Sequence, residues 1–136
     1  MIRNIITVIG ALFAGVVSIS VVQQLNSLVF RPPTGMDIRN AEQLAQFIDQ
    51  IPLGAMLGVE LSYIVGSLAC GVVVGFFAAS HPRRIAIWMG VFFTIMNTAN
   101  LMQIPHPLWM MVLTTITFIP VIWLAARWAA ARRSAA

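Results

Sequence analysis

From Leu53 to Ala79 the chain runs for twenty-seven residues with one formally charged side chain, Glu60. A helix on the surface of a soluble domain needs a polar face opposite its apolar one, and this run has none. It is long enough to cross a hydrocarbon core of about 30 Å, which takes about 20 apolar residues. Three further runs of this kind cover approximately 5–30, 85–104 and 108–126. Only 9% of the 136 residues are charged, against about 25% in soluble domains, so the bilayer must act as solvent. The expectation is a single all-α membrane domain over residues 1–136, an antiparallel four-transmembrane-helix bundle. The first run exceeds the roughly 7–15 apolar residues of a cleavable signal, so it is expected to be retained.

Arginine placement sets the expected orientation. All eight basic residues are Arg, and with the N-terminus inside, Arg3, Arg83, Arg84, Arg127, Arg132 and Arg133 face the cytoplasm while Arg31 and Arg39 face outward. Both termini are then cytoplasmic. Trp88, Trp123 and Trp128 fall near the inner interface, and Trp109 falls near the outer one. The net charge of +4 is spread over segment ends, which reads as topology signals and anionic-lipid contacts, with no nucleic-acid partner. Between the first two runs, Asn40-x-x-Gln43 has the form of a capping box, and Ala41, Leu44, Ile48 and Ile51 follow at helical spacing. This predicts a short amphipathic helix over about 40–50 on the outer surface, either a connector or a lid.

Small residues recur every fourth position in the second run: Gly54, Gly58, Ser62, Gly66 and Cys70, with a second row at Ser67, Gly71, Gly75 and Ala79. Lipid tails provide no hydrophobic drive for helix pairing, so close backbone approach along such rows must supply it. Gly10, Ala11, Ala14, Gly15 and Ser18 form a matching set, so the first two helices are expected to cross closely. Pro120 interrupts the backbone bonding of the fourth run and predicts a kink. The lone Cys70 reads as packing.

Glu60, Gln23, Asn97 and Thr115 each lie eight residues from their outer boundary, at Pro52, Arg31, Pro105 and Pro107. At 1.5 Å per residue that is a depth of about 12 Å for all four. Asn100 shares a helix face with Asn97, and Gln24, Asn26, Thr114 and Thr117 broaden the layer. An amide facing lipid leaves donors and acceptors unsatisfied, so these groups are expected to face the bundle interior and meet Glu60. With no buried cation to pair with, desolvation works against the charged form of Glu60, while hydrogen bonds from Gln23 or Asn97 to the ionised form would oppose that. Three uses remain open: a proton-coupled carboxyl in a transporter, a ligand for a polar head group, or a neutral hydrogen-bonding group that holds helices together.

Other chemistries find little support. His81 and His106 fall on opposite sides of the bilayer and cannot ligate one haem iron. Met102, His106, Met110 and Met111 have soft-ligand character, but prolines break their register and methionine is ordinary core filler. No cofactor, metal site or catalytic set is expected.

Phe30-Arg31-Pro32-Pro33-Thr34-Gly35 leads into the short acidic segment and then into Ile51-Pro52-Leu53-Gly54, and Asn100-Leu101-Met102-Gln103-Ile104-Pro105-His106-Pro107-Leu108-Trp109 follows later. Together these stretches resemble a widespread group of small bacterial membrane proteins with four helices and no characterised activity. The resemblance implies a bacterial inner-membrane setting and brings no site with it. Small multidrug transporters have a similar size and helix count but carry their carboxylate in the first helix, whereas Glu60 is in the second. The sequence reading therefore favours an accessory or structural subunit, packed in a larger membrane complex or a homo-oligomer. A small transporter or channel using Glu60, or a protein binding lipid or another hydrophobic ligand, remain as alternatives.

Overall fold

The computed structural model describes residues 1–31, 40, 42–43, 46, 50–102 and 106–135. The Pro32-Pro33-Thr34-Gly35 loop, Arg39, most of the expected 40–50 helix and Gln103-Ile104-Pro105 lie outside them. Among the described residues four long helices are present: α1 (Ile2–Val29), α2 (Leu53–Phe77), α3 (Pro82–Leu101) and α4 (Leu108–Ala135). Helices α1, α2 and α4 are long and apolar enough to cross a membrane. Helix α3, with twenty residues, is not in that set. Arg83 and Arg84 open it and Asn97 and Asn100 stand near its end, which dilutes its apolar character. In the 40–50 segment, the Asn40 side-chain oxygen accepts bonds from the amides of Glu42 at 3.0 Å and Gln43 at 3.3 Å, the geometry of a helix N-cap.

Helix α2 is the centre of the fold. It packs extensively against α1 on one side and α4 on the other, and α4 carries α3 on a further face. Among the described residues α1 and α4 do not meet, and α1 barely touches α3. The core cluster draws on all four helices, around Ala11, Cys70, Val74, Ala86, Met89, Phe118 and Ile122. Helix α1 buries only Thr7, Ala11 and Gly15, and presents Ile5, Ile9, Phe13, Val17 and Leu28 outward.

The two rows of small residues on α2 serve different neighbours. The first faces α1. A methyl group at Gly54 would press on the Phe30 ring, one at Gly58 would overlap the Asn26 amide, and one at Gly66 would stand 2.8 Å from the Gly15 carbonyl oxygen. The second row faces α4, where Gly71 lies against the Ile122 carbonyl and Gly75 against Ala126 and Ala129. On α1, Gly15 takes part in the crossing, but Gly10, expected to do so, has open space around it.

Helix ends differ from the apolar runs for identifiable reasons. Helix α2 ends at Phe77, where Ala78 turns extended with ψ 128°, and the carbonyls left without helical partners are taken by arginines from elsewhere. Arg3 Nε donates to Phe77 O at 3.0 Å, and Arg133 Nη1 donates to Phe76 O at 3.1 Å and Ala78 O at 2.6 Å. Asn4 completes the clamp, accepting from the Ala79 amide at 2.8 Å and the Ser80 amide at 3.4 Å and donating to the Ser80 hydroxyl at 3.0 Å. His81 then adopts a left-handed φ of 52° and Pro82 opens α3, where its missing N–H costs nothing. Helix α4 continues past its apolar run to Ala135, with Arg132 and Arg133 in the last turn where cations favour the helix dipole. It is one helix through Pro120, whose ring is on an exposed face.

Candidate functional site

The polar residues of the second half of α1, α2, α3 and α4 sort into two groups. Glu60, only 4% exposed, sits between α2 and α4. The Thr114 hydroxyl lies 2.9 Å from Glu60 Oε2, and the Thr117 hydroxyl lies 2.9 Å from Oε1. Each threonine also reaches its own helix backbone, Thr114 to Met110 O at 2.6 Å and Thr117 to Leu113 O at 2.8 Å.

A hydroxyl has one proton, so each threonine has two acceptors and one donor to share between them. Two hydroxyl protons thus face four oxygens. A carboxyl that carries its own proton supplies a third. It donates to one threonine, that threonine donates to its backbone carbonyl, and the second threonine donates to the free carboxyl oxygen. An amide supplies the same donor-and-acceptor pair. Glu60→Gln is therefore expected to leave stability within about 1 kcal/mol of the wild type, the scale of cross-helix hydrogen bonds in membranes. Thermal melts in mild detergent check this, and a loss of several kcal/mol would show that the network requires a carboxylate.

Thr115, expected in this layer, does not reach Glu60. Its hydroxyl bonds to Met111 O at 2.7 Å, and it stands about 100° round the helix from Thr114. Thr114 and Thr117 are three apart and share the face that Glu60 meets.

The second group lines a groove between α1 and α3. Gln23, Asn97 and Asn100 all border it, with Tyr63, Phe93 and Phe118 from three helices, and it is an open groove of about 370 Å³. Aromatic rings form its floor: Phe93 stacks on Phe118 with centroids 5.6 Å apart and planes at 13°, and Tyr63 leans on Phe118 at 5.5 Å. The Gln23 amide donates to the Ser62 hydroxyl at 3.3 Å, and Ser62 donates to Val59 O at 2.5 Å. The groove exists because α1 and α3 flank α2 and α4 without closing on each other. Tyr63 carries no sequence signal of its own; it lies one turn from Glu60 and was legible only as part of an apolar run.

Asn97 distinguishes this groove. It is 6% exposed, yet its Nδ2 has no hydrogen-bond partner. A buried donor left unmade costs about 1–3 kcal/mol. A second crevice of about 570 Å³, between the start of α1 and the end of α2, has no such group. Its polar side chains, Arg3 and Thr7, already bond to Phe77 O and Arg3 O. Of the soft-ligand set, Met102 is exposed and Met110 is buried in the core. A scan against protein-family models, a search of curated proteins and a search of solved structures each found no match to this chain.

Proposed function

We propose that this protein is an integral membrane protein that holds a small amphipathic molecule in the groove between α1 and α3. The observation that carries the reading is a groove in which the uncharged polar side chains Ser20, Gln23, Tyr63, Asn97 and Asn100 border apolar walls and the Phe93–Phe118 stack. Pockets of a few hundred Å³ with mostly apolar walls and a few convergent polar groups are the usual form of a small-molecule site. In the proposed arrangement all four helices cross a bacterial inner membrane as an antiparallel bundle with both termini cytoplasmic. Support comes from Arg3, Phe77 and Arg133 meeting at one end of α2, while Asn26 donates to Ala55 O at the other. The positive-inside bias assigns the arginine-rich end to the cytoplasm.

Transport coupled to Glu60 draws less support, because both carboxyl oxygens are engaged by α4 and the groove is lined by Tyr63 and Asn97 instead. The subunit reading stays as the second, since a helix of a partner protein, or of a second copy, would fill the same groove.

The test is native mass spectrometry of protein released from lipid nanodiscs, comparing the wild type with Ser20→Trp, which fills the groove from the exposed side of α1. The expected result is a retained small molecule on the wild type that the variant lacks, with unchanged helical content. An equal bound mass in both proteins overturns the reading. Recovery of a bound polypeptide in place of a small molecule favours the subunit.

A further inference from the structure

We propose that a phospholipid of net negative charge docks at the crevice between the start of α1 and the end of α2, with an acyl chain along the crevice and its phosphate on Arg3. The proposal shares the membrane setting of the reading above and is independent of the groove between α1 and α3. The crevice, of about 570 Å³, has Ile2, Ile6, Gly10, Val73 and Phe77 along its walls and Arg3 beside them. Ile2, Ile6 and Phe77 are each more than half exposed. Gly10 brings no side chain into it, and nothing stands within 4 Å of where one would begin. Arg3, Ile6 and Gly10 lie on one face of α1, about 10 Å from first to last.

Charge decides which amphiphile fits. Arg3, Arg83, Arg84, Arg127, Arg132 and Arg133 gather at this end of the bundle, while all four acidic residues fall within 37–60, the connection at the other end and the first half of α2. Arg127 and Arg132 lie over the Trp123 and Trp128 rings, and Arg133 donates to carbonyls of α2. Arg3 is exposed and borders the crevice. Its Nε donates to Phe77 O, which holds the guanidinium at this place. That is the one hydrogen bond its side chain makes among the described residues, and four of its five N–H donors remain for a ligand. A guanidinium pairs two such donors with two phosphate oxygens. A cationic head group would meet six arginines and no carboxylate side chain here, so a lipid of net negative charge is selected. Thr7, the other polar side chain on the crevice, already donates to Arg3 O at 2.8 Å, so beyond the arginine the occupant meets apolar surface.

The experiment adds defined probes to the delipidated protein in a neutral detergent and reads bound mass by native mass spectrometry. The probes are phosphatidylglycerol, phosphatidylcholine with the same chains, and inorganic phosphate. The wild type is expected to hold its first phosphatidylglycerol about fivefold more tightly than phosphatidylcholine, the scale of one arginine at an anionic lipid. Arg3→Gln is expected to erase that preference and Arg3→Lys to keep it, which separates the charge from the bond to Phe77 O. Gly10→Leu, which fills the crevice, is expected to lose the tightly held lipid with unchanged helical content. Arg84→Gln removes an exposed arginine from the same end but outside the crevice, and is expected to bind as the wild type does. An equal loss in Arg84→Gln and Arg3→Gln overturns the site, because it shows a diffuse basic surface. Tight binding that survives in Gly10→Leu, or a preference that survives in Arg3→Gln, also overturns it. So do a loss in Arg3→Lys equal to that in Arg3→Gln, inorganic phosphate bound as tightly as phosphatidylglycerol, and a dimer in place of bound lipid. If Arg3→Gln does not fold, Gly10→Leu and Arg84→Gln decide by the same criteria.

Discussion

Gly71→Ala and Gly75→Ala are each expected to destabilise the protein by about 1–3 kcal/mol, the cost of forcing a methyl group into a packed interface. At Gly75 the added carbon would stand 2.5 Å from the Ala126 carbonyl oxygen and from Ala129 Cβ. At Gly71 it would meet the Ile122 carbonyl oxygen and stand 2.6 Å from Ala125 Cβ. The obstacle in both cases includes backbone, which has no rotamer to move to. Relief requires α2 and α4 to separate, and that separation also pulls Thr114 and Thr117 away from Glu60. The two substitutions act on one interface, so their effects are expected to be non-additive. Gly10→Ala is the internal control. Nothing lies within 4 Å of its added carbon, so it is expected to stabilise by up to about 1 kcal/mol through helix propensity alone. Thermal or denaturant unfolding of the three variants in the same micelle decides the matter. If all three shift stability alike, close approach of α2 and α4 is not what holds the fold.

Asn97→Leu is expected to raise stability by about 1–3 kcal/mol, because it removes a buried donor that has no partner. The groove gives the larger side chain room, so little overpacking offsets the gain. This is the opposite of the usual effect of changing a buried polar residue. Stability above wild type combined with loss of the bound molecule is the signature of a residue kept for binding. A melting temperature that falls instead would mean the amide is satisfied within the protein alone, and the groove would lose its distinguishing feature. The measurement belongs on delipidated protein, since an occupied groove stabilises the wild type by mass action.

Much of the candidate site was readable as height along a helix. Counting eight residues from each boundary put Gln23, Asn97 and Glu60 at one level, and Gln23 and Asn97 do share a groove with Asn100. The same counting chose Thr115 over Thr114 and Thr117. Depth is a sum of 1.5 Å steps and survives an error of one residue, whereas facing direction turns by about 100° for each residue. The count also led to one layer where the molecule has two, because it carries no information on which helix pairs with which. Glu60 meets α4, and the amides meet the space that α1 and α3 leave between them.

Arg3 and Arg133 show the same limit. As sequence they mark segment ends and membrane topology, and neither has a neighbour in the chain that predicts a role. In the fold they cap the C-terminal carbonyls of α2 from opposite sides, across separations of 74 and 55–57 residues. The spacing of small residues on α2 was plain in the chain, and so was the need for close packing along both rows. That the second row would pack on α4 could not be read from α2, because any helix with a small-residue face would satisfy it.

The sequence by itself determined the helical class and the approximate bounds of the long apolar helices. These follow from counting, since apolar runs of sufficient length in hydrocarbon must form helices to satisfy their own backbone. Only the tertiary structure decided the partners: Glu60 with two threonines, the arginines with α2, and Asn97 with an open groove. Those depend on the rotation of each helix about its axis and on the order of neighbours. Both are set by the simultaneous packing of all four helices, which no single segment encodes.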